Sequence, residues 1–503
     1  MNIIENMRKK EAYQYIFVYV LMALAGVLLG YSLIYGVGLI VNSPAEKWNG
    51  TRFSVVLNYF LSGKLYYEPG QPILPSVYGP LSYLPYFYAA QFKDLAQSIR
   101  VGSLTAVMLS LLPLISLFWI REVVSRVNKD SFREVLKGLF IKFCLFFATV
   151  ISVSFQIDST EYAMFAIHCD APTHFILMIG FIILIYSSEK YRPYSAIFHA
   201  LALFSKYLAF PAFLISLLFF CLDKQYRNLF KYCFIYFATS LVALIVIEIL
   251  FGLNNFLFNT ISIMGNHPMD FSEAHILRMF KSLGPTIVLV LLLAASRINL
   301  VRGYIPRDIK LFLLISLFFI PSAFLGFFKR GGWYNNFSYI DYYVVIAGTL
   351  SAIDIIFRWI NAWGVFKRVR NYLFIYGLGL AAGMILTIPY QLERKDYEVY
   401  SAYSLLKEKP GAYYFPGLPA AHYFAEGKFF NHSYSVYDIS IAGKLNLNDF
   451  NKGLPEDNRI ILCSNCEEYE YSWFIDGYDK LTNEEMKKMK LGRYHWQGWK
   501  KTD

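Results

Sequence analysis

The apolar positions of this chain fall into long runs separated by short polar, mostly basic, interruptions. The first run, about Ile16 to Val41, follows Arg8, Lys9 and Lys10. It is too long for the roughly 7–15-residue core of a signal peptide and long enough for the roughly 20 residues a membrane helix needs. Further runs at about 101–120, 139–157, 171–186, 195–205, 207–222, 232–251, 282–296, 311–328, 343–356 and 372–390 predict about eleven spans in all. From about Gln391 the pattern changes. The remainder is polar, with short strand-like runs such as GAYYF and NRIILC. The expected fold class is mainly α: a polytopic membrane helix bundle over 1–390, then a small α/β domain over 391–503.

The stretch between the first two runs, 42–100, is the most informative. It holds Glu46 just past the first run, an amphipathic segment, and the aromatic segment YGPLSYLPYFYAAQF. That last segment has only about fifteen residues before Lys93 and contains Pro80 and Pro85, which is short for a span. An interfacial helix with its tyrosines at headgroup level is expected instead. This choice places the dense basic clusters Arg121–Lys137, Lys224–Lys231, Arg297–Lys310 and Arg358–Arg370 on the N-terminal side of the membrane. The positive-inside rule then makes the N-terminus cytoplasmic and residues 391–503 extracytoplasmic.

Composition agrees with the pattern. Of 503 residues 56% are hydrophobic, more than a soluble chain can hide, and the net charge of +11 is scattered between apolar runs. A nucleic-acid partner would need that charge gathered on one face; none is expected. No Walker A, GxGxxG or GxSxG pattern occurs, which removes support for nucleotide-driven transport and serine hydrolysis. His168, His174, His267 and His275 match no zinc spacing. Cys463 and Cys466 form a lone CxxC, read first as a local disulfide and second as a redox pair.

The candidate chemistry lies on the outer side. Glu46 and Asp170 are acids at membrane boundaries, where a carboxylate is costly unless packing, solvation or function holds it. Glu46 also suits a solvated loop, and Asp170, followed by Ala-Pro, also suits a helix N-cap. Asp158 and Glu161 compete for the same role. Lys206, between two short apolar halves, is expected either to snorkel to headgroups or to hold a lipid phosphate. Arg330 precedes Gly331-Gly332 and is a second phosphate ligand or an interfacial anchor.

In order, these features resemble the GT-C superfamily of integral-membrane glycosyltransferases, which includes the aminoarabinose transferases of lipid A and the protein O-mannosyltransferases. An acid follows the first span. SGKLYYEP and YGPLSYLP stand where the family has G-x-x-x-Y and YPPLYYLL. His168-Cys169-Asp170 stands for R-x-D, Ser205-Lys206 for T-K, and RGGWYNNFSY for K-x-G-x-x-N-Y. The chain departs from the family in having Glu46 for the usual Asp and His168 for Arg. The resemblance implies transfer of a monosaccharide from a polyprenyl-phosphate donor to an acceptor hydroxyl on a glycan, lipid or protein, with inversion, at the outer face of a bacterial inner or plasma membrane. It implies Glu46 as base and Asp170 as a second catalytic acid that orients the acceptor or holds a divalent metal, Mg or Mn. Lys206 and Arg330 would bind the donor phosphate, and Tyr78, His168 and Asp158 the sugar or acceptor. A lipid or polysaccharide transporter, and a glycan polymerase or ligase of another membrane fold, are the competing readings.

Overall fold

A computed structural model describes residues 2–126, most of 142–154, 157–301, 305–362, 398–456, 459–463, 472–489 and 496–502. The protein is mainly helical. The expected span at 372–390 lies outside the described residues, as does nearly half of the one at 139–157. Cys463 is disulfide-bonded, and Cys466 is again outside them.

Helix α1 runs from Asn2 to Asn42, α2 from Lys47 to Ser62 and α3 from Leu95 to Arg126. Among the described residues, four helices are long and apolar enough to cross a membrane: Leu95–Glu122 within α3, Tyr226–Phe251, Glu273–Leu291 and Arg307–Phe328. A fifth would be the pair Asp158–Phe165 and Asp170–Tyr186, bent by 94° at its break. Phe230, Phe234 and Ile249 on the 226–251 helix are each 75% exposed. A helix so apolar and so bare has lipid as its natural solvent. The core of the bundle is built from Leu114, Leu117, Leu177, Phe181, Phe312, Phe319 and Tyr343, all buried.

The short apolar runs at 195–205 and 207–222 become helices Ser195–Leu203 and Pro211–Leu222. At 1.5 Å per residue they reach only about 14 and 18 Å, half a bilayer core each. They form a hairpin that brings Lys206 to its tip. The tip is pinned from outside, where Gly79 N–H donates to the Ser205 carbonyl at 3.1 Å. A Cβ at Gly79 would collide with the Phe204 carbonyl, so the crossing requires glycine.

Segment 78–92 is not the continuous interfacial helix expected from sequence. It is three separate 3-10 turns, Pro80–Ser82, Leu84–Tyr86 and Ala89–Gln91. Pro80 and Pro85 each lack the N–H that a helix would need. Tyr83 and Tyr86 turn inward and are buried.

Helix α2 is amphipathic. Phe53, Val56 and Leu57, at i, i+3 and i+4, are all fully buried, and Gly63 at φ 72° closes the helix. Their cover is the C-terminal region: Val399, Ala402 and Leu406 of helix Glu398–Glu408, and Ala420 and Ala421 of helix Pro419–Glu426, share one core with them. Strands β1 (Tyr413–Tyr414), β2 (Ile460–Cys463), β3 (Tyr478–Lys480) and β4 (Gln497–Lys501) form a sheet ordered β1-β2-β4-β3. Only the β1–β2 pair is parallel. The core therefore continues across the composition change at 391.

Candidate functional site

Asp170 opens helix Asp170–Tyr186 and is fully buried. Its carboxylate does not cap that helix. Oδ1 accepts from Lys206 Nζ at 2.7 Å, and Oδ2 accepts from Asn335 Nδ2 at 2.9 Å and from His168 Nδ1 at 2.6 Å. An ionised carboxylate only accepts, so Nδ1 of His168 carries the proton and Nε2 accepts from the Tyr78 hydroxyl at 3.1 Å. A directed chain results: Tyr78 to His168 to Asp170, with Lys206 closing the far end. Burial pushes the Tyr78 phenol well above its ordinary range, so it stays a neutral donor. Tyr86 holds the His168 carbonyl at 2.9 Å.

Two expectations need correction here. Lys206 does not face lipid or offer a free ammonium, because it is 3% exposed and paired with Asp170. Hydrocarbon gives a charge no partner, whereas the interior gives this one a carboxylate. Asp170 is largely committed, because three donors already occupy all but one of the four acceptor sites of its carboxylate.

Glu46 is placed differently. It is exposed, and one of its oxygens accepts from Trp48 N–H at 3.2 Å at the start of α2. It lines a cavity of about 410 Å³ together with Asn49, Asp158, Glu161, Tyr162 and Tyr334, a size within the usual range of small-ligand sites. Asp170 does not line it. Tyr162 stands between the two groups: its ring is 5.4 Å from that of His168 and 6.2 Å from that of Tyr334. Glu161 is held at the wall by the Tyr35 hydroxyl at 3.2 Å. Arg330 is exposed, and its backbone binds Pro268 and His267.

His168, Cys169 and Asp170 are the one group among the described residues whose ligand atoms lie within 4.8 Å of one another. They do not fit Mg or Mn. Those ions want several oxygens, and here a sulfur and a nitrogen accompany a carboxylate that an ammonium already neutralises.

Sequence reasoning passed over Arg52. Its guanidinium lies over the rings of Trp48 and Tyr78, at 5.4 and 5.0 Å. The i, i+4 spacing of Trp48 and Arg52 on an amphipathic helix was the available signal.

No family model, curated protein or solved structure matches the chain.

Proposed function

We propose that the protein is a membrane glycosyltransferase. It moves a monosaccharide from a polyprenyl phosphate to an acceptor hydroxyl at the outer membrane face. The observation that carries this reading is Glu46, a carboxylate with accepting capacity to spare on the wall of a cavity at the end of the first apolar helix. In the reaction, Glu46 takes the proton of the acceptor hydroxyl and the oxygen attacks the anomeric carbon. The bond from that carbon to the phosphate oxygen breaks, and the phosphate leaves with the electron pair. Attack opposite the leaving group inverts the centre. Asp158, Glu161 and Tyr162 are suited to hold sugar hydroxyls. The Tyr78–His168–Asp170–Lys206 chain is a rigid back wall. The finer architecture belongs to the same proposal: about eleven spans, a cytoplasmic N-terminus, and residues 391–503 outside the bacterial inner or plasma membrane.

The test is incubation of the protein with a panel of labelled polyprenyl-phosphate sugars, repeated with Glu46→Gln. Gln keeps the shape and cannot take the proton, so transfer should fall by about 10²–10⁴-fold. Near-normal turnover in Glu46→Gln would remove Glu46 from the chemistry. Movement of an intact lipid or glycan across the bilayer without bond cleavage would favour the transporter.

A further inference from the structure

Helix α2 carries two cations with no carboxylate partner among the described residues. Lys47 Nζ reaches only the Tyr434 hydroxyl, at 3.4 Å, and the face of that ring, at 5.4 Å. Arg52 touches ring faces alone, and its Nε is buried with no hydrogen-bond partner. Ring faces compensate a desolvated cation only in part. Other shielded cations of the described structure are treated differently. Arg121 meets Asp308 and Asp354, Arg192 meets Asp223, Lys206 meets Asp170 and Arg459 meets Glu426.

Facing these cations is the turn that opens helix Ser433–Ile441. His432 is fully buried and caps that helix: its Nδ1 accepts from the Ser435 backbone N–H. Nε2 must then carry the proton, and it has no partner. The Ser433 hydroxyl, also fully buried, has none either. The turn and α2 are joined by Tyr434, whose ring is 4.7 Å from that of Trp48 and 5.8 Å from that of His432. Burial first, and then the charges of Arg52 and Lys47, push the His432 imidazole down to about 3. The two cations are therefore within electrostatic reach of it.

Two full positive charges, a buried N–H, a buried hydroxyl and a helix start converge with no anion among them. A carboxylate would answer only one of the two charges; a phosphate monoester dianion answers both. We infer that the contact region between α2 and the 432–435 turn binds a phosphate group, with Arg52 and Lys47 supplying the charge and His432 and Ser433 the free donors. Glu46 lies six residues before Arg52 on the same helix, about 9 Å along its axis. Identifying the anion as the polyprenyl phosphate that leaves in sugar transfer rests on the glycosyl-transfer reading; the anion site itself rests on these contacts.

Binding to the intact protein in detergent, followed by calorimetry and thermal shift, tests this. The probes are farnesyl phosphate and inorganic phosphate. Wild type should bind farnesyl phosphate, and Arg52→Met should weaken that binding by about 10–100-fold, the loss of a charge-assisted contact. Lys47→Met should weaken it in the same direction. Lys428→Met, an equal charge change at an exposed position, should leave it unchanged. Without ligand, Arg52→Met should melt no lower than wild type, because it removes an unanswered cation. A purely structural arginine would instead leave a less stable protein and unaltered binding. Failure of wild type to bind either probe, or wild-type affinity in Arg52→Met, overturns the site. Equal affinity for both probes keeps the anion site and overturns its assignment to a lipid phosphate. Phosphate binding with no sugar transfer from any donor leaves this inference standing and sinks the proposed function.

Discussion

Lys206 and Asp170 are a buried ion pair, 3% and 0% exposed with 2.7 Å between Nζ and Oδ1. At an effective dielectric of 20 their attraction is about 6 kcal/mol. Taking both ions out of water costs several kcal/mol each, so the pair as a whole is close to neutral for stability. Removing one member is different, because it strands the other charge. Lys206→Met leaves Asp170 with only His168 and Asn335, and Asp170→Asn leaves an ammonium with one amide oxygen. Each should cost about 3–5 kcal/mol. For 503 residues unfolding as one unit, a loss of 4 kcal/mol lowers Tm by about 4 °C. The double variant Asp170→Asn, Lys206→Met strands nothing and should recover most of the loss. The assay is thermal unfolding in detergent, run as a double-mutant cycle. Two mild single variants, or losses that simply add in the double, would refute the reasoning. A Lys206→Met protein of wild-type stability that had lost only donor binding would restore Lys206 as the phosphate ligand.

Two further outcomes are expected. The C-terminal region should loosen in acid: His432 is pushed down to about 3 and Glu426, beside His422 and Arg459, to about 2. Both depressions mean stability that is complete above the unfolded values and lost as pH falls, beginning near 6.5 for the histidine and near 4.5 for the glutamate. At pH 5 the His432 contribution alone has dropped by about 2 kcal/mol. Hydrogen exchange of residues 398–456 at pH 7 and pH 5 reads this, and an identical profile in His432→Gln would contradict it. A cysteine placed at Asn451 should react with an impermeant thiol reagent from the outer face; labelling only after the cytoplasmic side is opened would reverse the sidedness.

Some of this was legible from residues alone. The burial stripe of α2 is written in Phe53, Val56 and Leu57, and its end in Gly63. Asp170 stands out because an acid before a long apolar run needs a reason to be there. What holds Asp170 was not legible. Its partners lie at 168, 206 and 335, and no local pattern ties those positions together. Read by itself, Lys206 is either a headgroup anchor or a ligand of a lipid phosphate; only the fold puts a carboxylate against it. The 78–92 segment misled for another reason. Its aromatic content suits an interface, but Pro80 and Pro85 forbid the regular helix through which it would lie there. Arg52 was overlooked because a lone arginine on a polar helix face is ordinary in sequence. It becomes notable once the structure shows no acid near enough to pair with it.

Helix α2 gives the site its logic. Its start carries Glu46 on the cavity wall, and one and a half turns later it carries Arg52 beneath Trp48 and Tyr78. A carboxylate and a cation at the start and within one helix keep a constant separation, which two loops would not give them. The helix is in turn clamped. Its apolar stripe is covered by the 398–408 and 419–426 helices, and His432 and Ser433 come from the same C-terminal region. That region therefore buries the helix that carries Arg52, and in the proposed phosphate site it also supplies His432 and Ser433. Its polar surface made it look like an appendage in the sequence. Its buried face makes it part of the same core as α2.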